Sequence, residues 1–166
     1  MANKPNFTPE EWTQVLESPM LAGMAVSAAE PSGLWGMLKE AFASSSALAA
    51  AKLDGGSNEL IKSVVAFIET SEGRSAVQEA LRKRFAGAKA TDVVERAIAN
   101  LQDVSGILDA KAPGDAAAFK TWLRAISQKV AEASKEGGVL GFGGVQVSDS
   151  EKATLADISK ALGKTA

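Results

Sequence analysis

The sequence predicts an all-α protein, and three observations carry that prediction. Apolar side chains recur at helical pitch from one end of the 166 residues to the other. No convincing run alternates apolar with polar residues as a half-buried strand would. Helix starts and stops are written in cap residues, prolines and glycines at short intervals. Together they imply a single compact bundle of seven or eight helices over residues 1–166, with short connections.

The elements follow in order. Thr8 is a strong N-cap: Pro9 occupies the first helical position, Glu11 completes a capping box, and Phe7 can staple onto Trp12. This helix offers Trp12, Val15 and Leu16 to the core. Ser18-Pro19 reads as a second cap-plus-proline pair that restarts the chain into MLAGMAVSAAE, closed by Pro31-Ser32-Gly33. A longer helix is expected from about Leu34 to Leu53, with Trp35, Leu38 and Phe42 on one side, ended by Gly55-Gly56. Leu60, Ile61, Val64, Val65 and Ile68 mark the next stripe, and SEGRSAVQEALRKRF continues with Val77, Leu81 and Phe85 on one line. After Gly87, the residues Val94, Ile98, Leu101, Val104 and Leu108 make the cleanest stripe in the chain. Pro113-Gly114 breaks that helix, Asp115 is expected to cap the next, and Phe119, Trp122, Leu123, Ile126 and Val130 face inward. The last helix, SDSEKATLADISKAL, has Ser148 as N-cap and Glu151 as its box partner, with Leu155, Ile158 and Leu162 inward and Gly163 as its stop.

Composition narrows the chemistry. Hydrophobic residues make up 46% and charged residues 23%, a globular balance, and the formal net charge is −2. No global field exists to hold a polyanion, so nucleic acid is not an expected partner. The chain has no Cys, His or Tyr. That removes thiolate nucleophiles, imidazole bases, catalytic triads built on histidine, and metal schemes needing sulfur or imidazole ligands. Carboxylate, lysine or hydroxyl chemistry and hard, oxygen-binding cations remain. The N-terminus lacks the pattern of a secretory signal, and greasy stretches such as MLAGMAVSAA fall short of the roughly 18 residues of a membrane span. A cytoplasmic location is the plain expectation.

Four stretches invite a functional reading. GGVLGFGGVQVSDSEKATL has five glycines but follows a helix, without the strand context or the Gly-Lys-Ser/Thr ending of a phosphate cradle. Val139, Leu140, Phe142 and Val145 read as plugs folding the loop against the bundle. The second reading makes Val139, Leu140 and Phe142 a docking loop for a protein partner or a membrane surface. Arg82-Lys83-Arg84, with Arg74 and Lys89 nearby, reads as a solvated face whose cations favour the helix dipole. Asp54 to Glu59 lacks the acid spacing of a calcium loop and reads as a helix stop followed by a start. Ser44-Ser45-Ser46 has no base beside it. Trp12, Trp35 and Trp122 fall on apolar stripes and are expected in the core.

The C-terminal portion VAEASKEGG…VQVSDSEKATLADISKALG resembles the end of TerB-like tellurite-resistance domains, which are all-helical. In those domains a helix ends in Ala-Ala-Asp-Gly and a Ser-x-x-Glu-capped helix follows. The stretch GMAVSAAEPSG looks like a second copy of that helix ending. The resemblance covers about a fifth of the chain. It implies a carboxylate-based calcium or magnesium site with Glu136 at the turn, Asp149 and Glu151 at the start of the following helix, and Glu30 as the analogous acid in the first copy. It also implies stress-linked assemblies at the membrane. The sequence departs from the pattern in having Glu for Asp at both turns and an inserted VLGFGGV. Glu151 is also explained as a capping-box residue, and Asp149 as a first-turn acid.

The leading functional expectation is a non-enzymatic helical bundle that presents surfaces to a protein partner, or to a second copy in a homodimer. A calcium- or magnesium-binding module is the second expectation. A small molecule or lipid held between helices is the third.

Overall fold

In a computed structural model the chain is described over residues 7–29, 58–136 and 147–163, with the side chains of 133–136 outside the description. Six helices lie among these residues and no strand: α1 Pro9–Ala29, α2 Glu59–Glu69, α3 Ser71–Arg84, α4 Ala90–Lys111, α5 Pro113–Glu136 and α6 Asp149–Ala161. The all-α expectation holds, with six helices described rather than seven or eight. The helix expected from about Leu34 to Leu53 lies outside the described residues.

Helix α1 is the axis of the bundle. It packs against each of the other five helices, most extensively against α4 and then α5. Every residue from Val15 to Ala28 is buried. Such a helix has no solvent face, so it is apolar nearly all round rather than striped. Its start is as expected: the Thr8 N–H donates to Glu11 Oε2 at 2.8 Å, the Glu11 N–H donates to Thr8 Oγ1 at 3.2 Å, and Phe7 stacks on Trp12 at 5.9 Å.

The expected restart at Ser18-Pro19 does not occur. The helix runs straight through Pro19. Proline has no N–H for the carbonyl four residues back, which here is Val15 O. The Ser18 hydroxyl donates to that oxygen at 2.7 Å, so the orphaned acceptor is satisfied in a buried place. Two expected helices are therefore one.

Thr70 splits α2 from α3 with a single residue. Its N–H and its hydroxyl both donate to Phe67 O, at 3.0 and 2.7 Å, while its Oγ1 accepts from the Gly73 N–H at 2.9 Å. One side chain thus closes α2 and caps α3. Gly73 is demanded by the closeness of this turn: a Cβ there would lie 1.9 Å from Phe67 O.

In α4 the inward stripe is rotated at its N-terminal end. Val93 and Ala97 are buried where Val94 and Ile98 are expected, before Leu101, Val104 and Leu108 join as predicted. Val94 and Ile98 are half-buried against the core.

Asp115 does not cap α5. Pro113 is already helical, its missing N–H harmless at the first position, and only Ala112 separates α4 from α5. Asp115 sits in the first turn, where its Oδ1 accepts from Asn58 Nδ2 at 2.9 Å. Asn58 itself caps α2 by accepting from the Ile61 N–H at 3.0 Å. This pair fastens the start of α2 to the start of α5. Phe119, Leu123 and Ile126 are fully buried as expected, and Trp122 meets Phe119 edge-on at 5.1 Å.

Candidate cleft between helices α5 and α6

Helices α5 and α6 touch, but their facing surfaces leave a half-open cleft of about 370 Å³. Helical pitch explains its lining. Thr121, Arg124 and Gln128 stand three and four residues apart on α5 and so share one face, and Leu155, Ile158 and Ser159 do the same on α6. Ala125 is too short to fill the gap between them. Apolar Ala125, Leu155 and Ile158 share the lining with hydroxyl, amide and guanidinium groups.

Arg124 is the one charge in the lining. Its Nη2 donates to Thr121 Oγ1 at 3.2 Å, whereas its Nη1 is buried and has no hydrogen-bond partner. Ser127 does not turn its hydroxyl to the cleft: it donates to Ala22 O at 3.0 Å and Leu123 O at 3.1 Å, linking α5 to α1. Gln128 Nε2 donates to Glu132 Oε1 at 2.9 Å at the exposed edge.

The other charged groups near the core have protein partners. Glu17 on α1 is 1% exposed and takes Arg84 Nη2 at 2.6 Å and Nε at 3.1 Å from the end of α3. Burial pushes the Glu17 carboxyl above the ordinary carboxylate range, and the Arg84 guanidinium pulls against it. Arg96 on α4 donates Nη1 to Arg84 O at 2.9 Å, so three helices meet at this pair. Lys120 holds both oxygens of Asp109 at 2.7 Å.

The basic run 82–84 therefore divides. Arg82 and Lys83 are exposed and pair with Glu79, whose carboxyl is held below its usual range first of all by the Arg82 hydrogen bond. That much is the solvated face the sequence predicts. Arg84 instead turns inward to Glu17, because burying an acid on α1 requires a partner within reach.

The residues singled out for metal come only partly into view. Glu151 is 2% exposed and forms the expected box: its carboxylate accepts from the Ser148 N–H at 2.9 Å, and its own N–H donates to Ser148 Oγ at 3.2 Å. Asp149 is fully exposed and lies 3.6 Å from Lys152. The two acids thus point to different surroundings. Glu30 and the Glu136 side chain lie outside the described residues, as do Val139, Leu140, Phe142, Ser44 to Ser46 and Asp54 to Ser57. Among the described residues no group of three or more acidic side chains is placed to hold a metal ion. No helix among them is long and apolar enough to cross a membrane.

Neither Arg124 nor Glu17 is visible as special in the sequence. Arg124 falls between two core positions, Leu123 and Ile126, and looks like any charge flanking a stripe. Only the packing of α6 makes it a cleft residue. No family model, no curated protein and no solved structure matches the chain.

Proposed function

We propose that the protein is a non-enzymatic helical-bundle binding protein, working in the cytoplasm, whose α5–α6 cleft holds a small ligand. The observation that supports this reading is the Arg124 Nη1, a buried donor with no acceptor on a residue that lines a half-open cleft of mixed polar and apolar character. A buried donor left unpaired costs about 1–3 kcal/mol, a cost that an acceptor on a ligand would offset. The cleft volume also falls within the range of small-molecule sites.

The test is a two-dimensional NMR titration of labelled protein with a panel of short carboxylates, alcohols and amines. Shifts clustered at Thr121, Ala125, Leu155 and Ile158, and abolished by Ala125→Trp, are the expected result. A panel that leaves this face unmoved would sink the reading.

The partner-contact reading places protein docking, or pairing with a second copy, at Val139, Leu140 and Phe142. Among the described residues the large apolar side chains are buried or half-buried, so that reading draws its support from the connector sequence alone. Light scattering giving the monomer mass of 17.1 kDa at high concentration would rule out its homodimer form.

A further inference from the structure

Resting on that binding reading, we propose the class of ligand: a small free organic acid, with its carboxylate on Arg124 and a short aliphatic body on Ala125, Leu155 and Ile158. The charge balance of the lining is the first reason. It contains one cation and no acidic side chain, so nothing in the cleft wall neutralises the guanidinium. The second is hydrogen-bond supply. A guanidinium has five donors in a planar fork that matches a carboxylate in two parallel bonds, and Nη1 is without an acceptor while Nη2 has only a 3.2 Å contact to Thr121. Because Nη1 is sealed from solvent, it reaches a ligand in the cleft only when the side chain swings about its aliphatic torsions, while Nη2 already lies at the exposed side.

A carboxylate suits the cleft better than a phosphate. One guanidinium is a thin match for a dianion, and the lining offers neither a lysine nor a second arginine. A free acid suits it better than an extended peptide, because helices α5 and α6 present no sheet edge to pair with a peptide backbone. The cleft has room for an aliphatic chain of about six carbons beside Ala125, Leu155 and Ile158, each buried methylene contributing about 0.8 kcal/mol.

Sodium hexanoate, 1-hexanol and inorganic phosphate are the probes, followed by NMR on the full chain. Hexanoate should give saturable shifts at the Arg124 Nε–H and at the Leu155 and Ile158 methyls. Hexanol should bind about tenfold more weakly, the ratio expected for one charge-assisted contact. Arg124→Gln should weaken hexanoate by the same factor and leave hexanol unchanged, with a melting temperature no lower than that of wild type showing that the bundle is intact. Hexanoate and hexanol binding alike would overturn the carboxylate while leaving the binding reading standing. Saturable phosphate binding without hexanoate would overturn it too, and no cleft shifts with any probe would overturn both.

Discussion

Helices α1 and α3 stand at opposite ends of burial in one molecule. Helix α1 has fourteen consecutive buried residues, Val15 to Ala28, whereas α3, fourteen residues long, buries Gly73 and Val77. Helix α1 even tolerates an internal proline, because neighbours on every side hold it in place. Helix α3 depends on local chemistry: the Thr70 cap and the glycine under Phe67 O. A helix can be specified by what surrounds it or by its own ends.

Substitutions probe that contrast. Leu21→Ala on α1 should have the largest effect, since Leu21 is fully buried and its loss leaves a cavity at the bundle axis; urea denaturation should report about 3 kcal/mol or more. On α3 the sensitive position is Gly73. Gly73→Ala should cost about 2–3 kcal/mol, because the new Cβ meets a carbonyl that Thr70 already holds with two hydrogen bonds. If Gly73→Ala proves neutral, the turn at Thr70 is looser than described.

The Glu17–Arg84 pair joins the two helices, and its pH behaviour sharpens the comparison. Burial raises the Glu17 carboxyl in the folded state. Its contribution to stability is therefore fully present below the unfolded carboxyl value, about 4.3, and is lost as pH rises through the raised folded value. Gln at this position does not titrate. The melting temperature of wild type relative to Glu17→Gln should accordingly fall as the pH rises from the carboxylate range towards neutral. A difference that grows with pH would mean that Arg84 outweighs burial.

The smallest effect belongs to the solvent face of α3. Arg82→Ala removes an exposed i,i+3 pair and should leave the denaturation midpoint unmoved. A clear loss there would show that α3 leans on its surface charges more than on Thr70 and Gly73.

Legibility followed the same division. Thr8 with Glu11 and Ser148 with Glu151 were readable because a capping box has all its partners within three residues. The stripe of α5 was readable because Phe119, Leu123 and Ile126 offer helical pitch a single solution. In α4 the pattern is degenerate: Val93 and Val94 are both apolar, as are Ala97 and Ile98, so pitch cannot choose between them. The candidate cleft was not legible at all, since the gap that Ala125 leaves becomes a site only when α6 lies across it.

By itself the sequence determined that this chain is helical and where several of its helices begin, because those features depend on residues a turn or two apart. Tertiary structure alone decided that α1 continues through Pro19, which side of α4 turns inward, that Arg84 goes to Glu17, and that Arg124 faces a cleft. Each of those outcomes is set by a neighbour distant along the chain, or by how closely neighbouring helices approach. Local periodicity carries no record of which helix will lie alongside.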